Sequence, residues 1–489
     1  MIKVEWTTTE RYRPYKEWPD SYIKKLKEQV AQSNWRLNYH IQPETGLLND
    51  PNGFSFFNGK WHLFYQHFPF GPTHGLKSWF HLSSIDLIHW ESEKTSIEPE
   101  MSYESHGVYS GSAIPVDEKL FLAYTGNVRD DSWERHSYQL GAWLTKEGDL
   151  ERIELPLINQ PPNGFTMHFR DPQILQYKDR YLMVIGGQTD DQKGKVLFFE
   201  SYDLKQWENL GPLEINQDLG FMVECPNLLF IENKTVLLLC PQGLDKKTVD
   251  YQNVYPNTYI LADNYSKEDH LLQHSEQQQL LDEGFDLYAA QAFCAPDGRC
   301  LSVGWIGLPE MEYPTFQEGW AHSLSLIKEL TINEGKLYQY PVEETKLLRQ
   351  SQENLVVSAK ETLVIQTENS YELQFKIPNQ SKGEIALFSD ELGEKALILD
   401  YDTENGAVSL DRSSTDYPLN SDYGYTRKVE ITKGQSVEFT IFIDQSTCEI
   451  FINQGEKTMT TTYYPNENQN YLVIESDQEV KGTYYRLAK

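Results

Sequence analysis

Hydrophobic positions along this chain fall into short alternating runs broken by turn residues, the pattern of half-buried strands rather than helices. Lys60-Trp61-His62-Leu63-Phe64-Tyr65, Leu120-Phe121-Leu122-Ala123-Tyr124 and Arg180-Tyr181-Leu182-Met183-Val184-Ile185 are examples, and no long helical pattern interrupts them between Asn34 and Leu330. Ahead of these strands helical spacing runs over Pro19–Val30, where Tyr22, Ile23, Leu26 and Val30 share a face; it predicts a docking helix behind a polar, irregular stretch over residues 1–18.

The strand pattern repeats. Phe57-Asn58-Gly59-Lys60-Trp61 and Tyr177-Lys178-Asp179-Arg180-Tyr181 both read as hairpin turns, and Ser84-Ile85-Asp86-Leu87-Ile88-His89-Trp90 is echoed by Ser201-Tyr202-Asp203-Leu204-Lys205-Gln206-Trp207. Repeat starts near Asp50, Gly111, Asp171, Glu224 and Gln291 lie roughly 60 residues apart, room for a four-stranded sheet with long connections. Five such sheets set radially make a five-bladed β-propeller, and equal repeat phase would bring side chains from different blades to one end of its channel.

Beyond Leu330 the character changes. A short connecting helix is expected near Tyr340–Leu355, then alternating strands such as Tyr371–Ile377, Val437–Ile443 and Cys448–Ile452, which predict an antiparallel β-sandwich of about 130 residues. The expected organisation is thus all-β: an extension (1–33), a five-bladed propeller (34–335), a linker helix (336–355) and a β-sandwich (356–489).

Composition narrows the function classes. Aromatic content (30 Tyr, 22 Phe, 11 Trp) favours β structure. A net charge of -30 argues against nucleic-acid partners, because nothing offsets repulsion from phosphate backbones. The five cysteines form no close ligand set and read as reduced thiols. Met1-Ile2-Lys3-Val4-Glu5-Trp6 has no apolar leader and no run reaches membrane length, so a cytoplasmic protein without a membrane partner is expected.

Three acids carry the chemistry. Asn49-Asp50-Pro51-Asn52-Gly53, Arg170-Asp171-Pro172-Gln173-Ile174 and Glu224-Cys225-Pro226-Asn227-Leu228 each set an acid, a proline and an apolar strand in nearly the same order. Each acid alone reads as a turn or cap; a phased set reads as a site. Two carboxylates flanking a glycosidic bond, roughly 5–5.5 Å apart in a retaining enzyme, are the usual apparatus of sugar hydrolysis. Asp50, short and held at a strand mouth, is the expected nucleophile. Glu224, longer and among Met222, Val223 and Cys225, is the expected acid/base, its pKa raised by burial. Asp171 beside Arg170 is expected to stay ionised and steady the transition state. Gln66 offers donors to sugar hydroxyls, and Trp79 and Trp305 are candidate stacking rings, against core packing as the plain alternative. The histidines form no HExxH or helical pair, so no metal is expected, and no phosphate loop or dinucleotide fingerprint points to a cofactor.

These motifs resemble those of glycoside hydrolase family 32, the invertases and fructosidases: Asn49–Gly53 its nucleophile motif, Arg170-Asp171-Pro172 its stabiliser and Glu224-Cys225-Pro226 its acid/base. Tyr109-Ser110-Gly111-Ser112-Ala113, Ser323–Leu330 and Glu449–Gly455 are similar to further family segments. The resemblance implies retaining, cofactor-free hydrolysis of a terminal β-D-fructofuranoside, with Asn49, Ser110 and Arg170 among the substrate-binding residues. One stretch departs: Trp79-Phe80-His81 stands where many members read Trp-Gly-His, preceded by Gly75-Leu76-Lys77-Ser78. With Arg129, Arg135 and His136 it resembles the family's bacterial, cytoplasmic branch acting on sucrose 6-phosphate, with Lys77, Arg129, Arg135 and His136 as phosphate candidates. The alternatives are solvated loop charges balanced by Asp130, Asp131 and Glu134; hydrolysis of plain sucrose, short fructans, arabinan or xylan; and a binding propeller without chemistry. The sandwich is open to a role in oligomer formation.

Overall fold

The structure is a computed structural model describing residues 5–419 and 421–488; the first four residues of the opening read above as lacking a leader lie outside them. Five antiparallel sheets follow one another along the chain, begun by the strands Gly46–Phe57, Val108–Val116, Phe165–Tyr177, Met222–Ile231 and Leu287–Cys294. Each of these touches the next, and the fifth touches the first, so the sheets close radially into five blades around a channel. Closure is reinforced where Trp320–Ala321 pairs parallel to Gly46 and Leu47 of the first blade.

Polar side chains lace the blades together near the channel. Asn52 accepts from Gly111 N (3.0 Å), Ser112 from Ile174 N (2.7 Å) and Gln173 from Leu228 N (2.7 Å). Asn227 accepts from Ala292 N (3.2 Å), and Gln291 closes the circle on Phe54 N (2.8 Å). Each residue satisfies backbone groups that its neighbouring blade cannot pair within its own sheet. The two echoed Ser-x-Asp-Leu segments are one turn used twice: Asp86 and Asp203 accept from backbone N–H groups two and three residues on, and Leu87 and Leu204 both take positive φ.

Two six-stranded antiparallel sheets, packed over one apolar core, form the sandwich. The expected linker helix is cut down to a 3-10 helix over Glu343–Leu348. Lys336–Pro341 is the outer strand of the fifth blade, with Leu337 and Gln339 buried in alternation, and Arg349–Val357 is an edge strand of the sandwich. Only the 3-10 turn Glu343–Leu348 separates them. Buried polar contacts then tie the two bodies. Asp286 accepts from Arg412 (2.6 Å) and Thr462 N (2.8 Å), while Glu449 accepts from Leu326 N (2.7 Å) and bonds His40 (3.0 Å).

The extension is more ordered than its polarity suggests. Helix Asp20–Val30 forms with Leu26 and Val30 buried; the stretch before it, expected to be irregular, holds a short helix over Thr8–Arg11 and packs Trp6, Tyr12, Tyr15 and Trp18 against Phe68, Phe70 and Leu76. Trp18 stacks on Phe70 at 4.5 Å. A second correction concerns the thiols: Cys294 and Cys300 are joined in a disulfide, because the hairpin register sets them directly opposite. Cys225, Cys240 and Cys448 are buried free thiols. Among the described residues no helix is long and apolar enough to cross a membrane.

Candidate active site

Every innermost strand breaks register at the same end of the channel. The breaks fall between Leu48 and Pro51, Val108 and Gly111, Arg170 and Gln173, Glu224 and Asn227, and Tyr288 and Gln291. Bulges of this kind bend a strand and re-aim its side chains. Asp171 (φ 69°), Cys225 (φ 47°) and Ala289 (φ 49°) stand at matching places in three consecutive blades, in a left-handed conformation costly for such residues.

In the first blade the bulge sets Asn49 and Asp50 together opposite Gln66. Both oxygens of Asp50 are held. Asn49 Nδ2 donates to Oδ1 at 2.9 Å and Ser110 Oγ to Oδ2 at 2.5 Å. Gln66 braces both partners, accepting from Asn49 at 2.8 Å and donating to Ser110 at 2.6 Å. A carboxylate held in one plane by fixed donors suits in-line attack.

Asp171 is buried, its Oδ2 accepting from Cys225 N at 3.0 Å. The Cys225 thiol lies 3.7 Å from Oδ2 of both Asp50 and Asp171, so one side chain bridges the two aspartates. Glu224 precedes it. Arg170 donates to Glu224 Oε1 (2.7 and 3.1 Å), while Gln242 and Tyr288 each donate to Oε2 at 2.8 Å. The three acids thus meet at one mouth of the channel.

Their electrostatics reverse the expectation for two of them. Burial works to raise Glu224, but the charge and hydrogen bonds of Arg170, the Tyr288 hydroxyl and the Arg135 charge outweigh it and hold the carboxyl below its usual range. Asp171 moves up instead: burial, then the negative charges of Glu224 and Asp50, overcome Arg170 and the Cys225 N–H. Adjacency in sequence misled here. The Arg170 guanidinium reaches across to the next blade rather than to its own neighbour.

The remaining candidates separate. Ser110, Asn49, Gln66 and Arg170 surround the acids as described. Trp79 and Trp305 are wholly buried and offer no face to a sugar; Trp79 packs on Phe64 and Tyr124, and Trp305 against Tyr288 and His322. Lys77 is buried with its Nζ donating to Gln66 Oε1 at 2.9 Å, so it lies inside the site rather than at its rim. Arg129 and Arg135 face each other across a hairpin, hence on one side of it, whereas His136 pairs with Val128 on the other side and bonds Asp130 at 2.9 Å. Among the described residues neither arginine has a carboxylate within ion-pair distance, and the Nε of each is buried without a partner. Arg135 lies 5.9 Å from the centre of the Tyr109 ring, with Lys77 at 5.7 Å.

Sequence reasoning missed Tyr288, Gln242 and the aromatic rim of Tyr12, His106 and Trp133. Tyr288 had a signal: it stands three residues before Gln291, as Glu224 stands before Asn227 and Arg170 before Gln173. The rim had none, because Tyr12 arrives from the extension. Among the described residues no group of three or more His, Cys, Asp or Glu side chains is placed to share a metal ion.

Comparison with known proteins adds the following. The glycosyl hydrolases family 32 N-terminal domain pattern matches residues 40–341, and the family 32 C-terminal pattern residues 340–486. A sucrose-6-phosphate hydrolase of Streptococcus mutans is 45% identical over 480 residues, covering 98% of each chain. One from Pediococcus pentosaceus is 44% identical over 475 residues, covering 96% of this chain and 94% of that one. Among solved structures, a sucrose-6-phosphate hydrolase from Lactobacillus gasseri superposes with a TM-score of 0.96 at 39% identity, covering 99% of both chains. A mutant family 32 β-fructofuranosidase of Bombyx mori, solved in complex with sucrose, superposes at 0.82 and 29% identity, covering 96% of this chain and 99% of that one.

Proposed function

The chain belongs to glycosyl hydrolase family 32, and from that premise we propose that it is a retaining β-fructofuranosidase cleaving sucrose 6-phosphate to fructose and glucose 6-phosphate. Asp50 attacks the anomeric carbon of the fructosyl unit while Glu224 protonates the bridging oxygen; water, activated by Glu224, then releases fructose from Asp50. Asp171 accepts hydrogen bonds from the fructosyl hydroxyls. The observation that carries this assignment is the Cys225 bridge, which sets Asp50 and Asp171 on one thiol beside Glu224.

Glu224 is held low in the free site, yet it must arrive protonated. Its side chain is 19% exposed, so a bound disaccharide strips away its remaining water. Burial is already the largest single influence on it, and more burial drives the carboxyl upward. Once Asp50 is esterified its negative charge is gone, Glu224 falls again, and a base is what the second step needs.

The phosphate reading rests on Arg129 and Arg135. In a chain of net charge -30, two opposed arginines with no carboxylate partner among the described residues make a local cationic site at the rim. A sugar phosphate does not cross a membrane unaided, so the enzyme works where the phosphate is added, in the cytoplasm. The test is kcat/KM on sucrose 6-phosphate against sucrose. A clear preference for the phosphorylated sugar supports the reading; equal values remove it and leave a plain sucrose or fructan hydrolase.

A further inference from the structure

Lys77 is a buried ammonium that the steps above do not use. Its Nζ donates to Gln66 Oε1 at 2.9 Å, and the same oxygen accepts from Asn49 Nδ2 at 2.8 Å. An amide oxygen holding two donors has its orientation fixed, so Gln66 Nε2 must face Ser110 Oγ, 2.6 Å away. Ser110 then accepts that hydrogen and has only its own hydroxyl proton to give, which goes to Asp50 Oδ2. Without Lys77 the amide is freer to turn, and Ser110 is freer to point elsewhere.

The loop that carries Lys77 is held from outside the propeller. Arg11 O accepts from Leu76 N at 2.7 Å, Arg11 Nε donates to His74 O at 2.6 Å, and Tyr15 donates to Leu76 O at 2.9 Å. The approach is close enough that a Cβ at Gly75 would stand 2.6 Å from Arg11 O. The extension therefore clamps the three residues leading to Lys77.

We propose that Lys77 is a positioning residue for the nucleophile: through Gln66 it compels Ser110 to donate to Asp50, and the N-terminal extension belongs to the active site because it holds the Lys77 loop. This rests on the fructosidase reading above. Burial lowers the Lys77 ammonium to about 8, against the pull of Asp50, Glu224 and Asp171 and with Arg11 adding to the fall. His74 and His322 also face it and are held neutral by burial. Raising the pH through about 8 thus takes away the charge that strengthens this hydrogen bond and leaves a neutral amine that donates more weakly.

The experiment compares Lys77→Met, Lys77→Arg and wild type on sucrose and on sucrose 6-phosphate, with kcat followed from about pH 6 to 10, a window that brackets the lysine's titration. Losing a charge-assisted bond of this kind should lower kcat by about 10–100-fold in Lys77→Met. The fall is expected to be equal on both sugars, leaving the preference between them unchanged. Lys77→Arg should recover much of kcat and move the alkaline decline to higher pH, because arginine keeps its proton. A rise in KM confined to the phosphorylated sugar would make Lys77 a phosphate ligand and overturn the proposal. Unchanged kcat, or an alkaline decline that stays put in Lys77→Arg, would overturn it too. If Lys77→Met does not fold, Arg11→Ala gives the reading: a smaller, equal fall in kcat on both sugars supports the clamp, and an unchanged kcat contradicts it. Failure of the wild-type protein to release fructose would instead strike the parent reading.

Discussion

Arg170 and Glu224 occupy the same place in consecutive blades. Each is the last residue paired before its strand's bulge, opposite Gly186 and Cys240 respectively, and the two side chains meet at 2.7 Å. Tyr288 takes that place in the next blade and bonds the other oxygen of Glu224. Glu224 is thus gripped by its own structural equivalents on either side. A guanidinium that donates twice to one carboxylate oxygen, in a poorly solvated site, sets where the site's protons reside.

Replacing Arg170 tests that grip. With the cation gone, Glu224 and Asp171 both lose the charge that favours ionisation, and both titrate higher. Arg170→Met should lower kcat/KM on the order of 100-fold or more, since it leaves buried carboxylates unpaired. The ionisations in its pH profile should move to higher pH. A profile that keeps its wild-type position would show that Arg170 does not govern them.

Asp50 and Glu224 should differ in how they fail. Removing a general acid costs about 100–10,000-fold with a poor leaving group. Glu224→Ala should therefore regain much of its first-step rate on an activated fructoside, while Asp50→Ala should not, since no leaving group replaces a nucleophile. Pre-steady-state release of the leaving group measures this, and comparable rescue of both variants would reverse the assignment.

At the rim, Arg129→Ala and Arg135→Ala should each raise KM for sucrose 6-phosphate about 10–100-fold and leave KM for sucrose nearly untouched. His136→Ala should change neither, because its ring lies on the other side of the hairpin, bonded to Asp130. Equal effects on both sugars would put the phosphate elsewhere.

A fourth expectation concerns the joint between propeller and sandwich. His40 is buried between Asp444 at 2.9 Å and Glu449 at 3.0 Å. Burial alone would lower its pKa, but hydrogen bonds to the two carboxylates overcome it and raise the value to about 9. The folded value exceeds the unfolded one, so this stabilisation is complete below the unfolded pKa of about 6.5 and is lost as pH rises through about 9. Thermal scans should show Tm falling between about pH 7 and 10 in the wild type and a flatter profile in His40→Leu. Parallel profiles would contradict it.

Much of this was legible beforehand, for definable reasons. Strand alternation and hairpin turns are local, so the two-body layout and five repeats could be read from residues such as Asn58-Gly59 and Tyr371–Ile377. The acids could be found because an acid, a proline and an apolar strand recur in nearly the same order; the polar ring of Asn52, Ser112, Gln173, Asn227 and Gln291, which keeps phase from blade to blade, appears only in the structure. Phase of that precision also shows what was misjudged. Glu224 matches Arg170, one place before Asp171, a phase given by counting back from Asn227 and Gln173 but hidden by the order of acid and proline. Trp79 and Trp305 could not be told from core residues by composition, and burial decides them. The contribution of Tyr12 and Arg11 was hidden because it depends on how the extension lies across the first blade, and no periodicity reports that.

In a retaining mechanism the sugar is held on the nucleophile between the two steps. Glu224→Gln, mixed with an activated fructoside, quenched in acid and digested, should yield a fructosyl group esterified to the peptide that contains Asp50. An adduct on the peptide bearing Asp171 or Cys225 instead, or turnover that proceeds with inversion and no adduct, would contradict it.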